Sequence, residues 1–67
     1  MASFQEMYGR TVKIKTGMQE FVGKIGRIVD VEGKMFRIRF DEPVAVKGLG
    51  PVLDDIWERS GFKLLRD

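Results

Sequence analysis

Apolar and polar residues alternate along several short stretches of this chain, and the alternation predicts β-strands. In residues 11–16, Val12 and Ile14 alternate with Lys13 and Lys15. Because successive side chains of a strand point to opposite faces, this period of two residues is typical of a half-buried strand. We therefore expect the first strand to bury its aliphatic side chains and to expose its lysines.

Two later stretches carry a similar signal and are separated by a short turn. Residues 23–32 are rich in β-branched side chains, and their alternation slips near Gly26, which predicts a bulge or a sharp bend there. Residues 35–40 alternate cleanly, with Arg37 and Arg39 on the outer side. Because the turn between the two stretches is short, we expect them to form a hairpin.

The C-terminal half of the chain predicts shorter elements. The turn-forming residues 41–43 should end the third strand, and residues 44–46 should form a short edge strand or an extended arm. One helical turn is expected over residues 54–58, with an aspartate as its cap. A last strand is expected to begin at Phe62, directly after the Ser-Gly pair that follows this turn.

Strands of this number, length and order predict an all-β fold. We expect a small five-stranded barrel with one short helical turn before the last strand. The barrel should occupy residues 9–67 as a single domain, preceded by an N-terminal arm over residues 1–8. Its predicted core is made of inward-facing apolar side chains: Val12, Ile14, Ile28, Phe36, Ile38, Phe40 and Leu64.

Three stretches resemble the Src-homology-3-like family of small β-barrels. Residues 10–15 are similar to the first strand of these barrels, and residues 21–31 resemble the KOW motif, in which a glycine precedes a β-hairpin. Residues 56–65 are similar to the helical turn and closing strand. The resemblance covers residues 9–66 and implies a Src-homology-3-like barrel, without indicating a specific family.

The resemblance also implies several kinds of function. KOW domains bind RNA or protein, small photosynthetic electron-transfer subunits with this barrel dock partner proteins, and the plasmid-borne dihydrofolate reductases are tetrameric enzymes. Those reductases carry a Val-Gln-Ile-Tyr motif in their active pore, whereas the corresponding segment here reads Asp54-Asp55-Ile56-Trp57. A reductase of that type is therefore the remote alternative.

Composition limits how this chain is stabilised and where it works. Its 67 residues include no Cys and no His, which excludes disulfides and the common zinc sites. A core of this size leaves about 3–5 kcal/mol of net stability at most, so self-association is a plausible further source of stability. The lack of Cys predicts a cytoplasmic protein, and no stretch predicts a signal peptide or a membrane partner.

The side chains available for catalysis predict that the protein is not an enzyme. With no His or Cys, no activated nucleophile is recognisable, and the carboxylate pairs at 41–42 and 54–55 are typical of turns and caps. The glycines do not form a phosphate-binding loop, and no calcium-loop spacing occurs. We expect no cofactor and no metal.

Charge and the outward positions of the strands define two sets of candidate binding residues. Net charge is only +2, yet residues 10–39 hold eight Lys and Arg against three acids. One set is a basic strand face that would bind RNA or DNA phosphates: Lys13, Lys15, Lys24, Arg27, Arg37 and Arg39. The other set would anchor a protein partner: Tyr8, Phe21, Leu49 and Trp57.

The sequence thus predicts a non-catalytic binding module. Protein–protein association, with a partner or with further copies of the chain as a homo-oligomer, is the first interpretation. Nucleic-acid binding through the basic strand face is the alternative.

Overall fold

The computed structural model of the chain describes residues 7–65. Within them the backbone forms five strands, β1 (Thr11–Ile14), β2 (Ile25–Glu32), β3 (Met35–Val46), β4 (Gly50–Glu58) and β5 (Phe62–Leu64). A 3-10 turn at Arg59–Gly61 leads directly into β5. The prediction of an all-β fold with five strands and one helical turn before the last strand is confirmed.

All five strands belong to one antiparallel sheet in the order β4-β3-β2-β1-β5. The sheet curls. The rings of Phe62 on β5 and Phe36 on β3 lie 5.4 Å apart, although β1 and β2 separate these strands in the sheet. Alternate side chains therefore point into a shared interior, as in a partly open barrel. The two free edges of the sheet are β4 and β5.

The interior contains most of the predicted core. Six of the seven predicted residues are buried, and Leu64 is half-buried. The structure adds an aromatic cluster of Phe21, Phe40 and Trp57, whose ring centroids lie 5.2–5.7 Å apart. The indole N–H of Trp57 donates to the carbonyl of Thr16 at 3.0 Å. This cluster fixes the loop after β1 against β3 and β4.

The irregularity expected at Gly26 lies elsewhere. The register of β2 against β3 shifts between Ile28 and Asp30, so the bulge is at Val29. Gly26 is buried, and a Cβ atom at this position would lie 2.5 Å from the carbonyl oxygen of Arg39. The lack of a side chain at Gly26 therefore allows β2 and β3 to approach closely, and the prediction of a bulge there was wrong.

Two predicted boundaries in the second half of the chain are also wrong. Residues 41–43 do not end β3, which continues to Val46 because a register shift between Arg39 and Val44 takes up the extra residues. Residues 54–58 form strand, not helix, and the helical turn begins only at Arg59. Pairing with β3 and inward packing of Trp57 outweigh the local preference of the aspartates for a helix cap.

Both ends of the predicted domain lie partly outside the described residues. Of the N-terminal arm over residues 1–8, only Met7 and Tyr8 are described, and Met7 belongs to the buried core. The last strand begins at Phe62, as predicted, and ends at Leu64 in the structure. Residues 66–67 are outside the described range.

Candidate functional site

The free edge of β4 is the longest unpaired strand edge in the described part of the chain. β4 has nine residues and pairs only with β3, whereas β5, at the other edge of the sheet, has three residues. Three apolar side chains on or beside β4 are exposed, and we call them the β4 apolar set: Leu49 (69%), Leu53 (56%) and Ile56 (37%). A long edge strand with exposed apolar residues is a template for pairing with another chain.

An apolar cleft of about 390 Å³ adjoins one end of this edge. Met18 from the loop after β1 lines the cleft and is 46% exposed, and Ile56 belongs to both the cleft and the β4 apolar set. The buried Trp57 and Phe21 and the exposed Asp55 and Glu58 also line it. Exposed apolar surface therefore continues from the edge strand into a concave site.

The four predicted protein anchors fall into two groups. Leu49 and Tyr8 are exposed, and the Tyr8 hydroxyl lies 3.4 Å from a carboxylate oxygen of Asp30. Phe21 and Trp57 are buried in the aromatic cluster, so they are not exposed anchors. Their interpretation as anchors treated Trp57 as part of a turn, whereas it faces inward from β4 opposite Phe36.

A row of four cations crosses the outer face of the sheet, one on each of four neighbouring strands. Lys13 lies directly opposite Lys63, and Arg27 lies directly opposite Arg39. Between the two pairs the row steps by two residues, because Arg27 lies opposite Thr11 on β1. We call these four residues the cation row. Like charges directly opposite each other on neighbouring strands are destabilising, so the fold carries two unfavourable pairs on one face.

Lys63 is the member of the cation row that the sequence interpretation missed. Its signal was present, because Phe62 and Leu64 flank it with inward-facing apolar residues. Its proximity to Lys13 depends on the pairing of β1 with β5, which joins the two ends of the chain.

Arg37 is less available to bind an anion than the cation row, because two carboxylates already engage it. Its guanidinium donates to Glu32 at 2.7 Å and to Asp54 at 2.9 Å. These hydrogen bonds, with that to Glu32 the stronger influence, raise the pKa of Arg37 above its ordinary value. Asp54 also lies 3.7 Å from Arg39, which remains 63% exposed. Among residues 7–65, Lys13, Arg27 and Lys63 make no ion pair.

The other two predicted cations lie beside the row or away from it. Lys15 follows the last residue of β1, and its backbone N–H donates to the carbonyl of Gly61 at 2.8 Å. Lys24 precedes β2 and lines a separate cleft of about 370 Å³ together with Asp41 and Glu42. The six predicted cations therefore do not form one continuous patch.

Membrane-span criteria, metal-site criteria and comparison with known proteins assign no function to these surfaces. Across residues 7–65, no helix has the length and apolar character needed to cross a bilayer. In the same stretch no group of three or more acidic side chains is placed to hold a metal ion. No protein-family model matches the chain, and no curated protein or solved structure matches it significantly. The likeness to Src-homology-3-like barrels and to the KOW motif thus stays a prediction.

Proposed function

We propose that this chain is a non-catalytic binding module that acts through protein–protein association at the free edge of β4. The observation that carries the proposal is the β4 apolar set on a nine-residue edge strand. An added strand would satisfy the unpaired backbone groups of β4 and lie beside the exposed Leu53 and Ile56, which point to opposite faces of the strand. The lack of Cys supports a cytoplasmic place of action.

The size of the domain supports the same proposal. A single small core contributes little net stability, and association that buries further apolar surface adds to it. Isolated exposed apolar residues are ordinary on protein surfaces. Here three of them lie within eight positions along one unpaired strand edge and adjoin an apolar cleft, which is the arrangement expected of an interface.

Capture from a nuclease-treated lysate of the organism that encodes the chain tests this proposal. The tagged protein should retain a protein in stoichiometric amount, either a partner or untagged copies of itself. The double variant Leu49→Lys, Leu53→Lys should retain about ten-fold less, because each lysine places a charge where an apolar anchor should be buried. Quantitative mass spectrometry of the bound fraction is the measurement.

The matched control for this experiment is Val22→Lys, Val29→Lys. These valines are 46% and 45% exposed and lie outside β4, so the control makes the same chemical change on other surfaces. Equal capture by the β4 variant and the wild type, or capture lost only in the control, would place the interface elsewhere. No capture by the wild type would contradict the proposal.

Nucleic-acid binding is the second candidate function, and the cation row favours it. Neighbouring strands lie about 4.8 Å apart, so four strands present cations over about 14 Å, in two pairs offset by two residues because Arg27 lies opposite Thr11. A line of that length suits a polymer of phosphates better than a single phosphate group. The two like-charged cross-strand pairs also gain stability when an anion lies over them.

Fluorescence anisotropy with a labelled single-stranded oligonucleotide tests this second candidate. Four phosphate contacts predict a slope of about −3 for the logarithm of affinity against the logarithm of salt concentration. The variant Lys13→Gln, Arg27→Gln should weaken binding about ten-fold near physiological salt and reduce that slope by about half.

The control variant, Lys34→Gln, Lys47→Gln, removes two charges at the hairpin turns and should bind as the wild type does. A wild type that does not bind at low salt would exclude the second candidate. Binding that both variants retain equally would exclude the cation row as its site.

A further inference from the structure

We infer that a second copy of this chain pairs with β4, antiparallel to it and in a register centred on Leu53. This inference rests on the proposed function and names the occupant of the β4 edge. Pairing of β4 with itself about a two-fold axis uses the same edge of both copies and leaves no β4 edge exposed. Pairing of β4 with a different surface of the next copy would leave one β4 edge free at the end of the assembly.

Symmetry restricts the registers that two β4 strands can adopt. Two antiparallel copies of one strand are related by a two-fold axis perpendicular to the sheet. Residues paired directly across the two strands must point to the same face, so the axis passes beside one residue that lies opposite its own copy. Each register of β4 with itself is therefore defined by one central residue. The choice among central residues is decided by which side chains the register sets opposite each other.

The acidic residues of β4 exclude the registers around its midpoint. A centre at Asp54 or at Asp55 places that carboxylate opposite its own copy. A centre at Ile56 places Asp54 opposite Glu58 twice. Like charges directly opposite each other are destabilising, so these three registers are unfavourable.

Among the registers that avoid these contacts, the one centred on Leu53 pairs the longest part of β4. It aligns residues 50–56 of both copies and sets Leu53 against the second copy's Leu53. Asp54 then lies opposite Val52, and Asp55 lies opposite Pro51, so no two carboxylates are opposed. A centre at Val52 would align only residues 50–54.

The same register treats the three members of the β4 apolar set differently. Leu53 is covered by its own copy at the centre, and Ile56, on the other face of β4, lies opposite Gly50 of the second copy. Leu49, the most exposed member, lies just beyond the end of the paired residues. The central leucine and the placement of the acids together select this register.

Disulfide trapping tests both the pairing and its register. The chain has no cysteine, so Leu53→Cys introduces a single thiol. In the inferred register the two Cα atoms at this position lie about 4.5–5.5 Å apart, within the range of a disulfide. Mild oxidation should convert most of L53C into a covalent dimer, seen on a non-reducing gel.

Two further single-cysteine variants serve as controls. Val29→Cys is exposed to a similar extent on β2, and Asp54→Cys is adjacent to the centre but lies opposite Val52. Both should oxidise to dimer at least about ten times more slowly than L53C, because their thiols do not meet. A mixture of D54C with Val52→Cys should form the heterodimer preferentially.

Sedimentation equilibrium of the wild type completes the test. The expected mass rises with concentration towards twice 7.7 kDa. A monomer at every concentration, or equal oxidation rates for the three variants, would overturn the inference. If β4-dependent capture of another protein were then still observed, the proposed function would stand with a different occupant. If that capture also failed, the proposed function would fail with it.

Discussion

Replacing Gly26 with alanine is expected to lower the melting temperature of the protein by about 5–20 °C. Gly26 is buried in β2, and an added Cβ would lie 2.5 Å from the carbonyl oxygen of Arg39 and 2.8 Å from the side chain of Ile38. The nearest of these atoms is backbone and cannot rotate away, so β2 and β3 must separate. Overpacking of this kind costs about 1–3 kcal/mol or more, against a net stability of about 3–5 kcal/mol.

The conformation of Gly26 makes the interpretation of this variant direct. Its φ is not positive, so alanine adds no backbone strain and the loss reflects the close approach alone. Gly33→Asn is the control, because Gly33 lies in the β2–β3 turn at φ 63°, which asparagine tolerates, with open space around it. Thermal denaturation followed by circular dichroism is the measurement. A G26A variant that melts with the wild type would show that the two strands are not packed this closely.

Replacing Ile38 with alanine is expected to have a comparable effect through lost packing. Ile38 is fully buried in β3, where it is paired with β2 on one side and with β4 on the other. Truncation of a buried isoleucine to alanine costs about 2–5 kcal/mol, part of it from the cavity that remains. Because that cost approaches the whole net stability, the folded fraction should fall sharply.

Ile56→Ala provides the matched control for this prediction. It is the same substitution on the neighbouring strand, at a side chain that is 37% exposed. The melting temperature of I56A should stay close to that of the wild type when all samples are measured at a low concentration at which the wild type is monomeric. Equal shifts for I38A and I56A would contradict the assignment of Ile38 to the core.

Much of the fold could be predicted from the sequence because it depends on local alternation. The clean period of two in β1 and in the first half of β3 identified Val12, Ile14, Phe36 and Ile38 as core residues. Alternation failed where the register shifts, at Val29 in β2 and between Arg39 and Val44 in β3. A bulge changes which face the following residues occupy, and its position depends on the partner strand.

The position of the helical turn also depends on a distant partner strand and not on local sequence alone. Its presence before the last strand was predicted correctly, but its position was not. Residues 54–58 contain two aspartates that favour a cap, yet long pairing with β3 holds them in β4. Local preference determined the expected element, and pairing with a strand some twenty residues away determined the observed one.

The candidate sites were less predictable than the fold because they depend on strand order. The sequence identified outward-facing cations but not their neighbours, so Arg37 was included although Glu32 and Asp54 engage it. Lys63 was omitted, since only the pairing of β5 with β1 places it beside Lys13. The free edge of β4 has one sequence signal, Pro51, because a strand that contains proline is found mainly at a sheet edge.

The most direct measurement is the amount of protein that the tagged chain captures from nuclease-treated lysate in two matched double-lysine variants. If β4 is the binding edge, L49K/L53K should retain about ten-fold less than the wild type, while V22K/V29K retains the wild-type amount. Both variants must first show the wild-type far-ultraviolet circular dichroism spectrum at the assay temperature, so that capture reports the surface and not the fold. Wild-type capture by L49K/L53K would contradict association through β4.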